Sequence, residues 1–182
     1  MKKIVLSAVA VMVFGFTNAQ SAKFGLKAGL NISNLTGDVS DNSSKTGIAL
    51  GATAEFKVSD KFAIQPELVY SMLGAKNSLV NENLNLGYLN IPVMLKYYVA
   101  DKFSLESGPQ IGFLLSAKAG STDVKSGVNS TDFGFNFGGG YDFTKNISAG
   151  VRYTAGLSNI AKDSGSDKVH NSNFAIALAY KF

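Results

Sequence analysis

The chain has 182 residues, 17 basic against 13 acidic side chains, one histidine and no cysteine. The missing cysteines exclude disulfides and thiolate metal sites. Lysine and arginine are scattered, with no run longer than two, so no basic stripe for nucleic acid is present.

The chain opens with Lys2 and Lys3, an apolar run from Ile4 to Phe16, and then Thr17-Asn18-Ala19. A charged start, a short greasy centre and small residues before a cut define a secretory signal peptide over residues 1–19. The thirteen residues from 4 to 16 are too few for a spanning helix, which needs ~20. Cleavage after Ala19 is expected, with export from the cytoplasm. Without the two leader lysines, 15 basic residues face 13 acidic ones over residues 20–182. That length fits a single domain.

From residue 24 onward the pattern has a strict period of two, the signature of strands with one apolar face. Eight segments show it. Their apolar sets begin Phe24-Leu26-Leu30-Ile32, Ile48-Leu50-Phe56, Phe62-Ile64-Leu68-Tyr70-Met72 and Leu89-Ile91-Val93-Leu95-Tyr97. They continue with Phe103-Leu105-Ile111-Phe113-Leu115, Phe133-Phe135-Phe137-Tyr141-Phe143, Ile147-Val151-Tyr153-Leu157 and Phe174-Ile176-Leu178-Tyr180-Phe182. Each is around ten residues or slightly longer, the length of a tilted membrane strand.

Tight turns follow the second, fourth and sixth segments, at 58–62, 99–103 and 143–147. They recur as an internal repeat of one hairpin plus one loop. Stretches rich in Asn, Ser, Gly and Asp follow the others, at about 33–46, 74–86, 116–131 and 158–172, and are expected to be solvated loops. Short turns at one end and long loops at the other are the asymmetry of outer-membrane barrels. Pro66, Pro92 and Pro109 fall inside strand patterns, where each removes a ladder donor and is expected to mark a bulge or a poorly paired place.

The second face decides between a membrane barrel and a soluble one. It carries Gly29, Gly47, Gly51, Gly108, Gly112, Gly134, Gly138, Gly140 and Gly150, mixed with Asn31, Thr53, Gln65, Asn90, Gln110, Asn136 and Thr154. A water-facing strand surface would not use so many glycines. Small polar residues suit a narrow lumen, and the large aromatics of the first face would overfill one. The expected fold is therefore all-β: an eight-stranded antiparallel up-and-down transmembrane barrel, its apolar face toward lipid. Phe56, Phe62, Tyr97, Tyr98, Phe103, Phe143, Tyr180 and Phe182 gather near the tight turns, as in an aromatic girdle.

Lys27, Glu55, Glu67, Lys96, Glu106 and Arg152 occupy inward positions near one height. Eight strands leave room for side chains only, and buried charges must pair. A structural polar network is expected, with Arg152 and Lys96 bridged to Glu55, Glu67 and Glu106. His170, beside Ser164, Ser166 and Ser172 and near Asp163 and Asp167, gives a weak Ser–His–acid signal without a GxSxG turn. The loop aspartates Asp38, Asp41, Asp123 and Asp132 lack EF-hand spacing. Asn146-Ile147-Ser148 matches a glycosylation triplet at a tight turn and is read as chance. No catalytic, cofactor-binding or metal residues are assigned, and no cofactor is expected.

The segments FGLKAGLNIS, GYLNIPVMLKYYV, LESGPQIGFLLSAK, FGFNFGGGYDFTKNISAGVRYTAGLSNI and AYKF together resemble the PorT-like outer-membrane β-barrel domain family of Gram-negative bacteria. The resemblance implies eight strands with both ends in the periplasm, residence in the cell outer membrane, and no catalytic residues. Ile176, Leu178, Tyr180 and Phe182 resemble the C-terminal signal read by the outer-membrane barrel assembly machinery, which would engage the last strand edge-on. Lipid and that machinery are the expected partners of what is read as a monomer, with no nucleic acid. Envelope scaffold or loop-displayed binding surface is the favoured role, ahead of a narrow passive channel for ions or small solutes and then a lipid-modifying enzyme.

Overall fold

The computed structural model describes residues 22–38, 42–77, 83–162 and 168–182. The leader at 1–19 lies outside them, as do Asp41, Asp163, Ser164, Ser166 and Asp167. Eight long strands run along the chain: β1 (Ala22–Gly37), β2 (Asn42–Lys57), β3 (Phe62–Asn77), β4 (Asn83–Ala100), β5 (Phe103–Ala119), β7 (Thr131–Asp142), β8 (Ile147–Gly156) and β9 (Val169–Lys181). A two-residue strand, β6 (Thr122–Asp123), and a 3-10 turn at Lys125–Gly127 lie between β5 and β7.

Each long strand pairs antiparallel with the next. β9 returns to β1 in an unbroken register from Gly25↔Lys181 to Gly37↔Val169. The eight long strands thus close into a barrel with no free edge among them, which removes the unpaired backbone groups that a lipid environment punishes.

Alternation assigns the faces. Leu26, Leu30, Leu50, Leu105, Val151, Ile176 and Leu178 are exposed on the outside, whereas Asn31, Thr53, Gln65, Glu67, Asn90 and Asn136 are buried within. A soluble barrel would have the reverse arrangement. On β3 the outer belt runs from Phe62 to Met72. Ten residue steps of about 3.3 Å at a tilt of about 40° give a band about 25 Å tall, the height of a membrane barrel's apolar zone.

At the short-turn end Phe62, Tyr97, Phe103, Tyr141, Phe143, Tyr180 and Phe182 are exposed. They form ring pairs at centroid separations of 5.0 Å (Phe62–Tyr97), 5.3 Å (Tyr141–Phe143) and 5.4 Å (Tyr180–Phe182). Tyr98 leaves the expected girdle. It follows Tyr97 directly, so the pleat turns it inward, where it is 9% exposed. Phe56, in register between Ala22 and Ile64, is buried.

One sequence expectation is corrected here and another is narrowed. The stretches 33–46 and 74–86 are mostly strand: β1 and β2 leave only residues 38–41 between them, and β3 and β4 only 78–82. Polar composition there marks the exit from lipid and not the end of the ladder, because above the apolar belt both faces tolerate Asn, Ser and Lys. The prolines mark poorly paired places, as one of the two expected outcomes had it, and not bulges. Pairing lapses between Pro66↔Val93 and Val69↔Asn90, and between Pro92↔Gln110 and Leu95↔Ser107, yet the register resumes in phase. The actual irregularities lie at Ser44/Ala49, Gly87/Tyr88 and Tyr98/Ala100.

Gly74 sits beside the first of these with φ of 139°, a conformation that side chains resist. A Cβ there would also run into the carbonyl of Leu84. Gly74→Ala is expected to lower stability by about 1–3 kcal/mol, measured as the urea midpoint of the lipid-folded barrel. An unchanged midpoint would mean that the β2–β3 irregularity relaxes freely.

Candidate functional site

The inward positions of the short-turn half hold charge. Seven contacts link eight side chains in one alternating chain: Asp142–Lys181 (3.0 Å), Lys181–Glu55 (3.0 Å), Glu55–Lys96 (3.1 Å), Lys96–Glu106 (3.2 Å), Glu106–Arg152 (3.3 Å), Arg152–Glu67 (2.8 Å) and Glu67–Lys27 (3.3 Å). Four cations meet four carboxylates, and each of the eight long strands supplies one of them. The interior is therefore neutral by pairs, the condition under which buried charge is tolerated.

Arg152 is the pivot. Its two terminal nitrogens donate to the two oxygens of Glu67, both at 2.8 Å, and one also reaches Glu106 at 3.3 Å. This fork-to-fork geometry is specific to arginine. Neutral groups fill the remaining valences. Gln65 donates to Glu67 (2.7 Å) and accepts from Lys96 (3.3 Å), Tyr98 donates to Glu55 (3.0 Å), and Ser104 donates to Glu106 (3.3 Å). Gly140 makes space: a Cβ on it would lie 2.7 Å from the Glu106 carboxylate.

Above this chain the lumen is lined mainly by neutral polar groups, with the carboxylate of Asp132 among them. A cavity of about 60 Å³ is bounded by Asn31, Ser71, Asn90, Gln110 and Asn173, with Arg152 and Glu106 at its floor. It can hold a few waters, each needing about 10–15 Å³. Arg152 Nε and Asn173 Oδ1, both without a protein partner among the described residues, supply a donor and an acceptor for them.

Higher still the interior turns apolar. Leu73, Leu86, Tyr88, Leu114 and Ala117 point inward from β3, β4 and β5 and pack with Ile160 from the β8–β9 connection. Val124 and Val128, flanking the 3-10 turn, lie against them. Backbone bonds hold this lid: Asn129 N to Ile160 O at 2.8 Å, Ile160 N to Val169 O at 2.8 Å and Lys162 N to Gly127 O at 2.9 Å. Beneath it Asp132 accepts from Asn171 (2.6 Å) and Ser158 (2.7 Å).

The structure brings Lys27, Glu55, Glu67, Lys96, Glu106 and Arg152 into contact. It adds Asp142, Lys181, Tyr98 and Gln65, which the sequence reading did not place in the network. Strand parity carries their signal: Lys181 alternates with Tyr180 and Asp142 with Tyr141, so each must face inward. The lid was also missed. Leu73 and Leu86 break the small-polar rule of the inner face only above the belt, where no pattern told lid from loop.

His170 lies in β9 and not in a loop. Its Nδ1 is 2.9 Å from the Ser158 carbonyl oxygen, while the Ser172 hydroxyl donates to Tyr153 at 3.0 Å. Among the described residues no serine hydroxyl is paired with the imidazole. Asp38 accepts from the backbone N–H of Lys168 at 2.9 Å, and the Asn146 side chain donates to the carbonyl of Lys181 at 2.7 Å.

The profile of the outer membrane protein beta-barrel domain matches residues 18–162. The chain belongs to that family. It is an outer-membrane β-barrel protein, and among solved structures its fold is similar to several small barrels. Neisserial surface protein A shares 16% identity at a TM-score of 0.60, over 90% of this chain and all of that one. Ail, the attachment invasion locus protein of Yersinia pestis, solved with the heparin analogue sucrose octasulfate, shares 16% at 0.55, again over 90% and 100%. A major outer membrane protein of Thermus thermophilus shares 13% at 0.51, with the same coverage. No curated relative matches the sequence. In such barrels short turns face the periplasm and long connections face outward, so the ion chain sits on the periplasmic side and the apolar lid on the outer side.

Proposed function

We propose that this protein is a closed, non-conducting barrel, anchored as an envelope scaffold and presenting its outer connections as a binding surface. One observation carries this reading: the lumen holds two different seals in series, an ion chain drawn from all eight strands and an apolar lid above it. A conducting pore would need a continuous wet path, and a hydrophobic constriction alone is enough to exclude one. The rigid barrel then serves as a platform for its connections.

Exported through a leader cut after Ala19, the chain would be inserted with Ile176, Leu178, Tyr180 and Phe182 as its assembly signal. Their exposure on one face of the closing strand supports that role. The finer kinship with the PorT-like group rests on the five segments quoted above. A monomer without catalytic activity is the accompanying reading.

Planar-bilayer recording tests it. The wild-type protein is expected to be silent. Arg152→Ala alone is expected to stay silent behind the lid. Arg152→Ala combined with serine at Val124, Val128 and Ile160 is expected to pass current. A stable ion-selective current from the wild type would replace this reading with that of a narrow channel.

A further inference from the structure

We propose that the outer wall of the barrel holds the phosphate of an outer-leaflet lipid in a groove crossing β2 to β5. This goes beyond the binding surface proposed for the connections, since it lies on the lipid-facing wall below them. The groove encloses about 290 Å³ and is lined by Lys45, Lys118, Tyr70, Met72, Ser116 and Gly87, among others.

Irregular pairing makes it. The β2–β3 ladder shifts register between Ser44 and Ala49, and the β4–β5 ladder between Gly87 and Tyr88. Bulges re-aim side chains, and these two lie on either side of one depression. Gly87 deepens it, for a Cβ there would crowd the hydroxyls of Ser116 and Tyr70. Lys45 crosses the groove to Asn85 Oδ1 at 2.5 Å. Asn85 stands in register with Lys118, and the charge of Lys76 bears on Lys45. Ammonium and hydroxyl donors thus line an apolar-floored slot.

Its height identifies the occupant. The exposed apolar residues end at Tyr70 on β3, Ile48 on β2 and Leu115 on β5, and the lysines follow within a few residues on the same strands. That is the level of lipid headgroups on the outer side. Among the described residues every ion pair lies in the lumen, so none of the three lysines has a carboxylate at ion-pair distance; Asp123, in register with Lys118, accepts instead from the backbone N–H of Lys125. Uncompensated lysines at a membrane interface attract anionic headgroups, while Tyr70 and Met72 offer a wall for the first acyl carbons.

The test uses the protein in phosphatidylcholine nanodiscs, titrated with diphosphorylated lipid A and read by native mass spectrometry. Lys45→Ala and Lys118→Ala are each expected to weaken binding about fivefold, and the pair about thirtyfold. Lys45→Arg should retain it, and Lys145→Ala at a periplasmic turn should leave it unchanged. Millimolar inorganic phosphate should not compete. Lipid A binding that survives loss of both lysines would overturn the proposal. So would competition by inorganic phosphate with the same lysine dependence, which would make the slot a site for a free anion.

Discussion

Arg152→Ala is expected to cost the barrel about 3–5 kcal/mol, the penalty for breaking a buried ion pair from one side. The substitution deletes two bonds to Glu67 and one to Glu106. Glu67 is left with Lys27 at 3.3 Å and Glu106 with Lys96 at 3.2 Å, and one carboxylate stays unmatched in a narrow interior. Water entering the enlarged cavity recovers part of that loss, which is why the effect is placed below a full desolvation penalty. Arg152→Lys should lie between the two, since it restores the charge without the fork. The readout is the urea midpoint of protein folded into lipid vesicles, followed by the gel mobility difference between folded and heat-denatured forms. A shift of less than about 1 kcal/mol for Arg152→Ala would assign it the weight of a surface pair, and the ion chain would then not be what ties the strands together.

Val151→Arg, one residue away, is expected to cost about 2–4 kcal/mol for an opposite reason. Val151 points outward near the middle of β8 and is 46% exposed. Its substitution breaks no contact in the lumen. The cost comes entirely from placing a guanidinium in hydrocarbon, and it should fall to about 0–1 kcal/mol for the same change near the interface, as at Ile147 beside the periplasmic turn. A barrel standing in water would tolerate arginine at Val151 at no loss. Equal midpoints for the Val151 and Ile147 variants would therefore contradict the lipid-facing assignment of the outer wall. Neighbouring residues of one strand thus separate the two environments, with a needed charge at 152 and a forbidden one at 151.

The fold was legible where the physics repeats every two residues. Leu26, Leu30, Ile176 and Leu178 mark a face that only lipid can cover, and Gly138 and Gly140 mark the crowded interior. Legibility stopped where the solvent changes and the backbone does not. Ser43, Ser44 and Lys76 read as loop, yet they continue the β2–β3 ladder, with Ser44 opposite Ala75. The prolines were ambiguous because the sequence displays a missing N–H but not whether the register on either side of it is kept. At the site, the inward charges could be placed by height from the nearest turn, but partner choice depends on side-chain reach across the barrel. Glu67 on β3 takes Arg152 from β8, a pairing that no local pattern encodes. Tyr98 needed only stricter use of the pleat, being adjacent to an outward Tyr97.

The eighth charge has a consequence for biosynthesis. Lys181 serves Glu55 and Asp142 at once, and it lies near the end of the last strand to be made. Until β9 docks, Glu55 has only the ammonium of Lys96, which Glu106 also uses, and Asp142 lacks its cation, so the half-built interior carries surplus negative charge. Docking of that strand settles the backbone seam with β1 and the electroneutrality of the lumen in one event. Closure and charge balance are coupled, so an intermediate lacking β9 has a reason to stay open that the hydrogen-bond ladder alone would not give it.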